Sequence, residues 1–126
     1  MNELLEIIIW GKKFNLPIEY DCYEGEEVTT DQLQAVLEFK SHTEWLKKSK
    51  INVEEYCRAQ VINDDENTKR DNIFSYIKPE YLYVKREEGK PRVAIMCKYR
   101  YDMEHGLAIV FNHDGKVTVG IQDIIL

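Results

Sequence analysis

Asp102, Glu104 and His105 lie within four consecutive positions, and His113 with Asp114 follows a short apolar run later. Carboxylates and imidazoles at this density are the raw material of a metal site or of general acid/base chemistry, provided that they converge on one point, at ~2.0 to 2.2 Å for zinc ligands. The intervening residues alternate as a strand does, and eight extended residues at ~3.3 Å each place His105 and His113 about 26 Å apart. These two histidines therefore cannot share an ion. The expectation for Asp102 to Gly106 is a polar hairpin loop, in which Asp accepts backbone hydrogen bonds and Gly takes the awkward backbone angle. A small metal-dependent enzyme using Asp102, Glu104 and His105 stands as the rival reading.

The other chemical signatures are thin. His42 has no cysteine near it in sequence, and Cys22, Cys57 and Cys97 are too widely spaced for a metal knuckle and odd in number, so they read as reduced core thiols. Neither GxxxxGK[ST] nor GxGxxG occurs, nor does G-x-S-x-G, leaving no sequence support for a phosphate-cradling loop or a serine nucleophile elbow. No cofactor and no catalytic residue are expected.

A second group is acidic. Six acids and no base lie between Glu19 and Asp31. They suit a solvated hairpin and the positive end of a helix dipole, and Asp21, Glu24, Glu26, Glu27 and Asp31 equally suit a surface that docks a basic protein. Between Lys78 and Arg100 the balance reverses, with seven bases against three acids. Tyr81, Tyr83 and Tyr99 are interleaved there and Tyr101 follows, which invites a base-stacking sheet. Alternation opposes it, because Tyr99 and Tyr101 share a face with Val93, Ile95 and Cys97 while Lys98 and Arg100 point the other way. The net charge of −6 also disfavours phosphate backbones.

Positioning these groups takes strands at both ends. Ile7 to Trp10 and Phe14 to Tyr23 read as a hairpin turning at Gly11-Lys12-Lys13, with Pro17 forcing a bulge or a sheet edge. Thr29-x-x-Gln32 is a capping-box pattern for a helix from about Thr30 to Lys40 that buries Leu33, Val36 and Leu37. Ser41-x-x-Glu44 can restart a short helix carrying Trp45 and Leu46, and Asn52-x-x-Glu55 another with Val53, Tyr56, Cys57 and Val61 in one stripe. Asn63 to Asn67 reads as an exposed loop, and Asn72 to Ile77 as a last helix stopped by Pro79. From Tyr81 the period becomes two, giving four strands with turns at Glu88-Gly89-Lys90, at Asp102 to Gly106 and at Asp114-Gly115, and then a docked tail. The expected fold is α+β: an antiparallel sheet, made of the N-terminal hairpin and a C-terminal four-strand meander, with three or four helices packed on one face.

At 126 residues, with 44% hydrophobic and 32% charged side chains, the chain fits one domain, 1–126, with an ordinary core. No run reaches the ~20 apolar residues that span a bilayer, and the acidic start before Ile7 lacks a signal peptide's basic flank, so a cytoplasmic protein without membrane attachment is expected.

Phe14-Asn15-Leu16-Pro17-Ile18-Glu19-Tyr20-Asp21, the pattern from Tyr99 through Asp102, Glu104-His105-Gly106, Ala108-Ile109 and Phe111, and the ending Gly120-x-Gln122-Asp123-Ile124-Ile125-Leu126 resemble an uncharacterised family of small bacterial α+β domains associated with toxin-immunity proteins. The resemblance spans most of the chain and carries over no catalytic residue. It implies a cytosolic binding protein, and with the acidic segment the expected function is a non-enzymatic interaction module, an immunity-type inhibitor of a basic toxin or nuclease.

Overall fold

A computed structural model describes residues 3–60 and 73–126. Its order is β1 (Leu4–Ile9), β2 (Lys12–Tyr20), α1 (Thr30–Ser41), α2 (Glu44–Gln60), a 3-10 turn (Ile73–Tyr76), β3 (Ile77–Val84), β4 (Val93–Tyr99), β5 (Leu107–Phe111), β6 (Val117–Gly120) and a second 3-10 turn (Gln122–Ile124). The fold is α+β, with six strands in one sheet in the order β1-β2-β3-β4-β5-β6. The sheet is mixed, not purely antiparallel, because β2 and β3 run parallel from Ile18↔Leu82 to Tyr20↔Val84. The two helices make the long crossover that parallel neighbours require. Among the described residues there are two α-helices, not three or four. Asn52 starts no new helix and lies inside α2, where its neighbours Val53 and Cys57 supply a continuous buried stripe. The Asn63 to Asn67 loop, Val61 and the start of the Asn72 helix lie outside the described residues.

The first hairpin turns at Trp10-Gly11, one residue earlier than expected, with φ of 49° and 87°. Two positive φ angles match the right-handed twist of a two-residue hairpin, and Trp10 is held in this costly region by its ring contact with Phe74 at 4.7 Å. Pro17 is neither at a bulge nor on an edge strand. Its residue parity turns the missing N–H toward β3, one position before the β2–β3 ladder begins at Ile18, so no ladder bond is lost.

A bulge in β3 explains how that strand starts four residues before Tyr81. Register shifts between Pro79 and Tyr81, leaving Glu80 extra, so that both Ile77 and Leu82 face the helices despite their odd separation. Ile95, Cys97 and Tyr99 of β4 and Leu107, Ile109 and Phe111 of β5 share that face with Phe39, Trp45, Leu46, Val53 and Cys57. The opposite face is not bare. Ala94, Met96, Ala108 and Val110 are buried beneath Ile125 of the tail, with Tyr81 and Tyr83 alongside. Tyr101 lies beyond β4 and is exposed.

Helix α1 is rotated relative to the expected phase. Gln32, Ala35, Val36 and Phe39 are buried, while Leu33 and Leu37 are 48% and 57% exposed. Phe39 packs on Phe111 at 5.0 Å, and Gln32 reaches inward to donate through Nε2 to the carbonyls of Asp21 and Val84 at 3.1 and 3.3 Å. Its Oε1 accepts from the Thr29 N–H at 2.9 Å, completing the capping box. One side chain thus caps the helix and clamps it to two strand ends. At the other helix, a side chain on Gly115 (φ +85°) would come within 2.6 Å of the Trp45 indole nitrogen, so the tight β5–β6 turn lets the start of α2 dock.

Candidate functional site

The Asp102 turn is a hairpin held by its own polar atoms. Asp102 Oδ1 accepts from the His105 N–H at 3.1 Å and lies 3.0 Å from His105 Nδ1, and the Gly106 N–H donates to the Asp102 carbonyl at 2.8 Å. The carboxylate raises the His105 pKa above the ordinary imidazole value, through the hydrogen bond first and its charge second. Glu104 is exposed and acts on the imidazole as a nearby charge. From outside, Gln122 Nε2 donates to the Cys97 carbonyl at 3.1 Å and the Gln122 N–H to the His105 carbonyl at 3.0 Å. A Cβ on Gly106 would meet both Gln122 Nε2 and Cys97 O within 2.8 Å. His113 is exposed at the far end of β5, and Asp114 Oδ1 accepts from the Lys116 N–H within its own turn. Among the described residues no three His, Cys, Asp or Glu side chains gather as metal ligands.

His42 stacks on Trp45 at 4.4 Å and pairs with Glu44 at 2.8 Å. Cys57 and Cys97 are buried thiols whose pKa values burial pushes up, which makes them inert. Cys22 is no core thiol. It is half-buried beside Arg86 Nη1 at 3.5 Å, outside the packed layer.

The acidic stretch is largely tied down. Asp21 Oδ2 accepts from the Arg86 N–H at 3.3 Å and lies 3.9 Å from Lys85 Nζ; burial first, then the Asp21 charge and hydrogen bond, raise the Tyr83 pKa to about 12. Glu26 accepts from the Tyr23 N–H at 2.7 Å and pairs with Arg86 at 3.4 Å, and Asp31 accepts from the Gly89 N–H at 2.9 Å. The Glu27 carbonyl accepts from Arg86 Nη1 at 3.0 Å. Glu24 and Glu27 keep exposed carboxylates. Arg86, one of the seven bases between Lys78 and Arg100, is the hub that joins this segment to the end of β3.

A wide concavity lies elsewhere, and sequence reasoning missed it. A groove of about 980 Å³ runs between β1, from Leu4 to Ile8, and the junction of the helices at Phe39, Thr43 and Leu46, with Lys40, Lys47 and Lys50 around it. Leu4 and Ile8 are 59% and 64% exposed, which leaves an edge strand apolar on both faces. Two signals were present in the chain: Leu4-Leu5 and Ile7-Ile8-Ile9, which break strict alternation, and the lysine spacing at 40, 47 and 50.

The site and fold define a small α+β protein with a helix-covered mixed sheet and an open apolar groove at one sheet edge. The chain belongs to the DUF6985 family, a domain of unknown function, which matches residues 2–126. No curated protein and no solved structure matches it significantly. No helix among the described residues is long and apolar enough to cross a membrane.

Proposed function

We propose that this protein is a non-enzymatic protein-interaction module whose docking surface is the groove between β1 and the α1–α2 junction. The observation that carries this reading is the groove itself: a wide apolar concavity bordered by Lys40, Lys47, Lys50 and Glu6, with exposed Leu4 and Ile8 at its lip. Exposed apolar area of this kind, rimmed by polar groups, marks surfaces that bind other macromolecules. The acid/base candidates support the same reading, since Asp102 and His105 are used in holding a turn.

A second reading is an immunity-type inhibitor in the cytoplasm that meets a basic toxin or nuclease through its acidic end. Glu24 and Glu27, with exposed carboxylates, favour it. Asp21, Glu26 and Asp31 weigh less, because each has an internal partner. A base-stacking sheet draws less support, as Tyr81 and Tyr83 sit among the charges of Glu19, Glu80 and Asp21.

Charge reversals separate these readings. A protein retained from native-host extract by the wild-type chain should be lost with Lys40→Glu/Lys47→Glu and kept with Glu24→Lys/Glu27→Lys. Loss only with the second pair would move docking to the acidic end and overturn the groove.

A further inference from the structure

We infer that the groove is occupied by an extended, acidic-flanked segment of a partner protein, which adds to the sheet as a seventh strand alongside β1. This rests on the groove as docking surface and specifies how it is filled.

The argument begins with the main chain. The Ile18 N–H donates to the Glu3 carbonyl at 3.0 Å, and the β1–β2 register runs from Leu4↔Pro17 to Ile9↔Lys12. In an antiparallel pair, residues alternate between pointing their N–H and C=O at the partner strand and pointing them away. Leu5, Ile7 and Ile9 therefore bond to β2, and Leu4, Glu6 and Ile8 direct their main-chain groups outward. Among the described residues no strand pairs on that side. The opposite sheet edge is treated differently: β6 has four residues and α2 packs against it. An unpaired edge is a template for another strand unless it is short, charged or covered. Strand addition of this type takes its affinity from main-chain bonds and its specificity from pockets for alternate side chains.

The groove supplies those pockets. A strand beside β1 would set its inward side chains against Phe39 and Leu46, which calls for apolar residues there. Lys47 and Lys50 around it call for carboxylates on the flanks of the incoming segment, with Lys40 shared with Glu3 at 3.7 Å and the lining Glu6 paired with Lys13 at 2.9 Å. The charge pattern also disfavours a second copy of this chain in the register that overlaps β1 fully with its copy. Two β1 strands meeting antiparallel with Leu4 opposite Ile8 place Glu6 opposite Glu6, and like charges directly across a ladder are destabilising.

The probe is a blocked peptide of alternating valine and threonine bracketed by glutamates, with a lysine-bracketed peptide as its counterpart, each titrated into the full chain and followed by backbone amide NMR with hydrogen exchange. The expected result is binding of the glutamate form at least tenfold tighter than the lysine form, weakening with salt, with shifts at Lys40 and Lys47 and new exchange protection at the amides of Leu4, Glu6 and Ile8. Shifts in the groove without protection of those three amides would overturn strand addition while leaving the groove as a docking surface. No shift in the groove at millimolar peptide would count against both. Concentration-dependent protection of the same amides without peptide would overturn the partner segment in favour of a homodimer. Ile8→Pro, which removes an outward N–H at the exposed edge, should abolish the protection; unchanged protection in a folded variant would contradict the proposed pairing.

Discussion

At the residue scale, the side chains that look most chemical serve the architecture. His105 and Asp102 form a four-residue clasp in which a carboxylate satisfies both a main-chain N–H and an imidazole nitrogen. The folded-state pKa of His105 is raised, so the pair stabilises the turn fully below the unfolded imidazole value near ~6.5 and loses that contribution as pH rises through the raised folded value. The exposure of the pair keeps the effect on global stability small. Asp102→Asn should return the His105 titration, followed by imidazole NMR, toward the ordinary value. An unmoved titration would show that the hydrogen bond and charge of Asp102 are not its cause. This hairpin was legible because Asp and Gly bracket it; the buttress from Gln122 was not, since it joins positions far apart in sequence.

At the scale of elements, α1 shows what sequence pattern can and cannot determine. The Thr29 to Gln32 box marked the helix start correctly, because capping is local chemistry. The buried face was misread, since Leu33 and Leu37 carry more apolar surface than Gln32, yet Gln32 is the side chain that satisfies two strand-end carbonyls. Tertiary hydrogen bonding set the rotation of the helix. Gln32→Ala should cost about 1 to 3 kcal/mol in denaturant unfolding, the usual penalty for stranding buried polar groups. A loss below about 0.5 kcal/mol would mean that water replaces the amide and that the clamp is not structural. The strands tell a similar story: period-two runs after Tyr81 were readable, whereas the start of β3 at Ile77 was hidden by Pro79 and by the phase change at the Glu80 bulge.

For the whole molecule, the sequence allowed a meander of β3 to β6 and a first hairpin, but not the parallel join between β2 and β3. That join is a non-local contact made possible by the length of the helical crossover. It determines which strand is left open, because placing β2 in the interior makes β1 the edge. The candidate site was correspondingly hard to see. The acidic residues stood out as a cluster in sequence and are consumed in part by Arg86, Lys85 and Gly89, while the groove collects residues from β1, α1 and α2 that no local pattern unites. The central claim is that partners dock in that groove. Site-directed photo-crosslinking in the native host tests it most directly, with a photoreactive residue at Thr43 on the groove wall compared with one at Glu24 on the acidic end. A discrete protein adduct from position 43, suppressed by Lys40→Glu/Lys47→Glu and absent from position 24, is the predicted result; adducts from position 24 alone, or none from 43, would contradict it.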